Sequence, residues 1–311
     1  MKRIKKIIKK RETRFLILKL LRFIPNKIMI RIQYRLYMKR KLNLNNPVKL
    51  SEKLQWLKLN NLNSNYSILV DKFEVRKVIT SVYGDNYLVP IYGVYDKFND
   101  IDFNDLPSNF VIKCTHGSQS NIVVREKSKL DIIGAKRKID YWMKQNWFYF
   151  GREYPYKNIQ PRIIIEEYIT DNNEVEYLSD YKFYCYNGVV DAVLVCVDRN
   201  IGKVKYFFFN ESWELLRYNL AGKNAPDNFS LKKPKYIDEM FDLARDICQG
   251  FPFIRVDMYF SNGKIYIGEL TLFPASGYDP NRLPEADILM GSKLRLEEKN
   301  NPRILQEWRK S

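Results

Sequence analysis

The stretch FIRVDMYFSNGKIYIGELT, Phe253 to Thr271, holds two runs of strand-forming residues separated only by Ser-Asn-Gly. A link that short cannot carry a crossover helix, so the two runs pair as an antiparallel hairpin. A second unit of the same kind is DYKFYCYNGVVDAVLVCVDR, Asp180 to Arg199, with Asn187-Gly188 as its turn. YLVPIYGVY, NFVIKC, NIVVRE, PRIIIEEYI and KVKYFFFN read as further strands. Strands follow strands and helical patterns cluster apart from them. This excludes a doubly wound parallel fold and predicts an α+β chain with antiparallel sheets.

The first hairpin carries Asp257 and Glu269 on its two arms, with Arg255 two residues before the aspartate. Side chains alternate along a strand, so the turn decides which of them meet. With Asn262-Gly263 alone as the loop, Asp257 faces Gly268 and Glu269 lies on the other face. With Ser261-Asn262-Gly263 as a three-residue loop, Asp257 pairs with Ile267 and Arg255 with Glu269, and all three polar residues share a face. The residues permit either. Two carboxylates beside an arginine suit a divalent metal and a phosphate; a solvated Arg-Glu pair across the strands explains them as well.

The helices are marked by their ends. NNPVKLSEKLQWLKLNN predicts a helix capped by Ser51, and SILVDKFEVRKVITSVYG one helix from Ser67 to near Gly84. KLDIIGAKRKIDYWMKQNW is helical, and KPKYIDEMFDLARDICQG starts near Pro234 and stops at Gly250.

The net charge of +17 is concentrated. Met1 to Leu42 contains 16 of the 53 basic residues and one of the 36 acidic ones, a net +15, so the remainder carries only +2. Lysines and arginines interrupt this arm before any run reaches the length of a spanning helix. Ile4, Ile7, Ile8, Phe15, Leu18 and Leu21 recur at helical spacing, as an in-plane helix on an anionic membrane requires. A packed helical pair with a solvated basic face fits equally. The near-neutral body has no basic stripe or aromatic nucleic-acid motif, so nucleic acid is not an expected partner. Four widely spaced cysteines and a single histidine argue against a structural zinc site and for a reduced, cytoplasmic setting, peripheral on the inner face of the membrane if the arm binds lipid.

Three constellations are weak singly. Lys113 emerges from a strand into the small, polar loop 114–120, suited to phosphate oxygens but also to an ordinary turn. Glu166-Glu167 interrupts an apolar strand, where it can accept from an adenine amino group or simply face water. Lys72 and Arg76 share one helical face.

Their order is more informative. NPVKLSEKLQWLKL, DKFEVRKVI, FVIKCTHGS, EEYI, DYKFYCYNG, FIRVDMYFSNGKIYIGELTLFPASG and MGSKLRL together resemble the ATP-grasp superfamily, in its TupA-like branch named for teichuronopeptide biosynthesis. The resemblance runs from about Asn46 to Leu296. It implies two α+β subdomains with antiparallel sheets clasping ATP, residues 46–165 and 166–296, after a basic helical arm, 1–45, and before a tail, 297–311. It implies a carboxylate-amine ligase working through an acylphosphate, with ATP and Mg²⁺. By position, Asp257, Glu269 and Thr271 would hold metal, and Arg255 and Lys182 would serve catalysis. Arg76, Lys113, His116, Gly117, Ser118, Glu166, Glu167, Tyr168 and Ile169 would bind nucleotide. Metal ligation by Asp257 and Glu269 in turn favours the three-residue loop.

The chain departs from the family pattern twice: Thr271 stands where a ligating Asn is usual, and Gln119 where the phosphate loop usually has a second glycine. The branch points to a carboxylate-bearing glycan or small molecule and an amine as substrates, in surface-polysaccharide assembly. The alternatives are a capsule glycosyltransferase, using Asp100-Ile101-Asp102 as its metal-nucleotide motif, and a degenerate ATP-grasp protein that only binds a partner.

Overall fold

The computed structural model describes residues 11–170, 180–197, 204–296 and 301–310. Ile4, Ile7 and Ile8 of the proposed amphipathic stripe lie outside the described residues.

Two sheets, both antiparallel throughout, organise the chain. The four-stranded sheet has the order β1-β4-β2-β3, from β1 (Ile91–Tyr95), β2 (Phe110–Cys114), β3 (Asn121–Val124) and β4 (Ile163–Glu167). The six-stranded sheet has the order β10-β9-β5-β6-β7-β8, from β5 (Asp180–Tyr186), β6 (Val189–Val197), β7 (Lys205–Phe209), β8 (Leu215–Leu216), β9 (Phe253–Ser261) and β10 (Lys264–Thr271). The α+β class expected from strand-next-to-strand order is the one observed. Residue 165, where the sequence places the end of the first subdomain, falls inside β4.

The longer helices are α1 (Arg11–Leu20), α2 (Asn26–Met38), α3 (Leu50–Asn60), α4 (Glu74–Tyr83), α5 (Ile132–Met143), α6 (Ile237–Ile247) and α7 (Pro284–Lys293). A six-residue α8 (Arg303–Trp308) follows. In α6 the buried residues Ile237, Met240, Phe241, Ala244 and Ile247 form one stripe against the six-stranded sheet. Each large apolar side chain buried in this way contributes about 1.5–3 kcal/mol.

The core does not follow chain order. Leu50, Leu54, Val78, Ile79 and Leu88 pack in the same cluster as the six-stranded sheet, although they precede the other sheet in sequence. The four-stranded sheet keeps a smaller core of its own, Phe110, Ile112, Ile163 and Ile165 against Ala135 and Ile139 of α5. The segment expected as a tail also docks: Ile304 and Leu305 are buried, and Arg303 pairs with Asp246 at 2.8 Å.

Two helix boundaries differ from the sequence reading. Ser51 is not a cap; Lys49 holds that position, and the Ser51 hydroxyl turns inward to donate to Asp287 at 2.6 Å. The helix expected from Ser67 breaks at Asp71, which is extended at ψ 117° and accepts from the backbone N–H of Phe73 at 2.8 Å. Asp71 thereby separates a short helix, Tyr66–Val70, from α4.

From residue 11 onward the basic arm is part of the folded body. Phe15 packs on Trp147 and Phe150, with ring centroids 5.5 and 5.4 Å apart, and Ile30 and Tyr34 are buried with Tyr278. Arg40, Ser51 and Arg282 all bond to the buried Asp287, tying the segment just after α2 to α3 and α7.

Candidate active site

The β9–β10 turn is Asn262-Gly263, both with positive φ of 50° and 78°, and Ser261 pairs with Lys264. This is the two-residue loop; the three-residue loop is not formed. Pairing then proceeds evenly to Ile267 opposite Met258, and the next residue, Gly268, is left unpaired as a bulge. The extra residue shifts every later position by one. Glu269 therefore faces Asp257, and Thr271 faces Arg255. The shared face is achieved, but by a bulge in the strand instead of a longer turn. Gly268 is required there: a Cβ would lie 2.4 Å from the Tyr259 ring.

Across the next strand Lys182 pairs with Asp257 and Tyr184 with Arg255. The result is two adjacent rows on one face of the six-stranded sheet, Lys182-Asp257-Glu269 and Tyr184-Arg255-Thr271. Arg255 donates to both Asp257 oxygens at 2.6 Å and to the Thr271 hydroxyl at 3.2 Å. Lys182 donates to Asp257 at 2.7 Å and reaches Asp180 at 2.6 Å. Burial alone pushes the Asp257 carboxyl up, but Arg255 and Lys182 outweigh it and hold the group below the ordinary value of 3.8. The same pairing holds Arg255 and Lys182 above their usual values against the effect of burial.

The four-stranded sheet faces this row across a narrow slot of about 20 Å³. Lys113 and Glu166 project into it from β2 and β4 and form an ion pair. Arg76 of α4 and Lys72 line the same slot, and Tyr259, Ile267 and Glu269 close its other wall. Lys72 is pinned to the loop after β2: its backbone N–H donates to the Thr115 carbonyl at 3.1 Å and its ammonium to the Gly117 carbonyl at 2.6 Å.

A second, larger cleft of about 630 Å³ opens beyond the row. It is lined by Ser118 and Gln119 of the small loop, by Lys182, Arg255, Glu269 and Thr271, and by aromatic side chains including Trp147, Tyr156, Tyr184 and Phe208. Glu269 belongs to both spaces. Gln119 adopts φ 56°, the left-handed region glycine would enter freely.

Not all of the expected residues converge. His116 is buried with its Nε2 3.0 Å from the Trp142 carbonyl, and it lines neither space. Gly117, Glu167, Tyr168 and Ile169 are likewise not among the lining residues. Asp100 and Asp102 accept from the backbone N–H groups of Lys97 and Asn104, so this Asp-x-Asp closes its own loop turns.

Other residues of the cleft have no motif to mark them. Arg14 and Tyr37 come from α1 and α2, with the Arg14 guanidinium 3.6 Å from the Phe150 ring centroid. Pro274, Ala275 and Ser276 form part of the wall, and Ala275, Ser276 and the following Gly277 are all at positive φ. Lys58 holds that strained segment by donating to the Ser276 carbonyl at 2.7 Å, and burial pulls its amine down to about 7. A lysine on the inner face of α3 beside Leu54 and Leu57 is the one signal that could have revealed it.

The donor set can be tested against a metal. Among the described residues no cluster of three or more His, Cys, Asp or Glu is arranged to enclose an ion. Two opposed carboxylates and a neighbouring hydroxyl leave positions for water and phosphate oxygens, which is the coordination Mg²⁺ accepts. The residues fit such an ion, with Asp257 shared between it and two cations.

Two antiparallel sheets facing each other across a lysine-lined slot and a carboxylate row are the architecture of an ATP-grasp protein. The chain belongs to the TupA-like ATP-grasp family, whose profile matches residues 52–295. Among solved structures it is similar to D-alanine–D-alanine ligase from Bacillus anthracis, at 15% identity over 78% of this chain and 67% of that one, with a TM-score of 0.42. It is also similar to the ATP-grasp ligase PsnB complexed with a minimal precursor, at 12% identity, 78% and 68% coverage and a TM-score of 0.40. D-cycloserine synthetase DcsG matches at 12% identity, 73% and 71% coverage and a TM-score of 0.40. No curated protein matches the chain. The family match, not these distant likenesses, carries the assignment.

Proposed function

We propose that this protein is an ATP-dependent carboxylate-amine ligase acting through an acylphosphate. The observation that carries the reading is the position of Glu269, beside Asp257 and Arg255, at the junction of the basic slot and the large cleft. The slot, at about 20 Å³, has room for little more than a water, so a nucleotide would enter as the two sheets part and the Lys113–Glu166 pair opens, and would meet an acceptor in the cleft at that row.

In the reaction, a carboxylate oxygen of the acceptor attacks the γ-phosphorus of ATP and ADP leaves. An amine then attacks the acyl carbon, phosphate departs with the bonding pair, and the amine gives up a proton. The reactants repel one another, so the chain must supply positive charge and alignment. Lys113 and Arg76, assisted by Lys72, would hold phosphates in the slot. Glu166 would accept from the adenine amino group once released from Lys113. Arg255 and Lys182 face the cleft and would stabilise the acylphosphate and the oxyanion that follows. Asp257, Glu269 and Thr271 would hold Mg²⁺, which when bound neutralises phosphate charge.

The acceptor we propose is a uronic acid or acidic residue of a bacterial surface polysaccharide or its precursor, handled on the cytoplasmic side. The cleft supports a sugar-like acceptor: its aromatic side chains offer stacking faces while Arg255 and Arg282 offer positive charge.

The test is ADP release by the purified protein with MgATP against panels of uronates and amines, with nucleotide affinity measured separately by calorimetry. Turnover requiring both a carboxylate and an amine is the expected result. Nucleotide binding without turnover on any pair would favour the partner-binding alternative that Gln119 and Thr271 motivate. Protection by UDP-sugars and not by ATP would overturn the ligase reading.

A further inference from the structure

The arm exposes an apolar surface different from the one its sequence suggests. Phe15 and Leu18 are buried in the body, whereas Leu16, Leu20, Phe23, Ile28, Ile32 and Leu36 are between 43% and 78% exposed. Ile28, Ile32 and Leu36 recur every fourth residue along α2, and Leu16 and Leu20 do so along α1. Each set lies opposite the buried face of its helix, since Phe15 of α1 and Met29, Ile30, Gln33 and Tyr34 of α2 point into the body.

Both helices are anchored on that body. Arg14 stacks 4.8 Å from the Tyr37 ring centroid, and Arg152 donates to the Leu21 carbonyl at 2.9 Å and to the Asn26 side chain at 3.3 Å. These contacts hold the inner sides of both helices and leave their outer faces to solvent. Scattered exposed leucines are ordinary, but six large apolar groups exposed within 21 residues of two anchored helices are a concentration that calls for a partner.

Its flanks are uniformly basic. Lys19, Arg22, Lys27, Arg31, Arg35 and Lys39 are exposed beside it, and no Asp or Glu occurs between Glu12 and Glu52. A second copy of the chain docking on the same face would set these cations against their own equivalents. A partner that takes both the apolar stripe and the charge must be apolar inside and anionic at its surface.

We propose that the outer face of α1 and α2 docks in the plane of an anionic lipid bilayer, with Leu16, Leu20, Phe23, Ile28, Ile32 and Leu36 entering the acyl boundary and the flanking cations meeting headgroups. Among the described residues no helix is long and apolar enough to cross a membrane, and none is needed: an in-plane helical pair binds by buried apolar area plus attraction to anionic lipid. The same two helices supply Arg14 and Tyr37 to the large cleft from their inner sides, so docking would hold the cleft within about a helix diameter of the bilayer surface. This last consequence rests on the ligase reading; lipid binding does not.

The test is flotation of the full-length protein with vesicles of phosphatidylglycerol and phosphatidylcholine in equal parts, and with phosphatidylcholine alone. Wild type is expected to float with the anionic vesicles and to bind the neutral ones at least about tenfold more weakly. The variant Leu20→Gln/Phe23→Gln/Ile32→Gln/Leu36→Gln alters only exposed side chains, and should keep the thermal midpoint while lowering anionic partition by roughly tenfold or more. Equal flotation by variant and wild type would overturn the proposal, because the cations alone would then account for binding. A wild-type dimer in light scattering that the variant dissolves, with no flotation by either, would also overturn it and assign the face to a second copy. ADP release is measured without vesicles, so failure of either reading leaves the other standing.

Discussion

The two charged clusters that face each other across the slot are built to different standards. Lys113 and Glu166 stand on the four-stranded sheet, which has a small core of its own, and they neutralise one another at the rim of the slot. Asp257 and its partners stand on the six-stranded sheet, whose core takes in helices from both ends of the described chain. There, three strands in register, a bulge and two cations fix one carboxylate. The contrast teaches that rigidity is placed where phosphate transfer would need alignment, while a single ion pair closes the side a nucleotide must enter.

If that contrast holds, Asp257→Asn has the largest effect. It leaves the buried Arg255 without the carboxylate it binds through both oxygens, while Lys182 keeps Asp180, and breaking such a pair costs about 3–5 kcal/mol. Urea unfolding should show that loss, and calorimetry should show MgATP binding abolished. A stability loss no greater than that of Glu166→Gln would erase the distinction between the two clusters.

The bulge comes second. In Gly268→Ala the new methyl meets the Tyr259 ring, and overpacking of that kind costs about 1–3 kcal/mol. Because the bulge also sets the phase of Glu269 and Thr271, nucleotide binding should weaken together with stability. A double-mutant cycle with Tyr259→Leu should show coupling between the two positions. Additive losses would mean that something other than this contact holds the register.

The same region shows how far the sequence carries. Antiparallel pairing, the Asn187-Gly188 turn and the α+β class were legible because they rest on local chemistry: turn residues, alternation and strand adjacency; at Asn262-Gly263 the motif order favoured a three-residue loop that is not formed. The bulge was not, since an extra residue in a strand has no signature beyond a glycine, and its need for Gly268 arises from Tyr259 in the partner strand. The break at Asp71 was hidden by a helical pattern running through it, and the docking of α3 against the six-stranded sheet by chain order. Ordered motifs named Lys113, Glu166, Arg255, Asp257 and Glu269, all of which line one of the two spaces or form the row between them. Beside the nucleotide role the motifs imply for His116, the residues allowed a buried, hydrogen-bonded histidine, which is what is found; they gave no hint that Arg14, one of 16 basic residues in its arm, reaches the cleft.

Glu166→Gln should be milder. Its partner Lys113 is one-fifth exposed and the amide still accepts a hydrogen bond, so the cost is about 1–3 kcal/mol, below that of Asp257→Asn. The informative readout is nucleotide selectivity: with a carboxylate no longer available to the adenine amino group, the preference for ATP over GTP should narrow. An unchanged preference would remove Glu166 from the nucleotide site and leave it a structural partner of Lys113.

The smallest effect is on the acid limb of stability. Asp257 has a folded pKa below its unfolded value of 3.8, so between the two the unfolded chain binds the extra proton. Its contribution is complete above pH 3.8 and is lost as pH falls through the folded value. Wild type should therefore lose stability more steeply below pH 3.8 than Asp257→Asn, while the gap between them stays constant near neutrality.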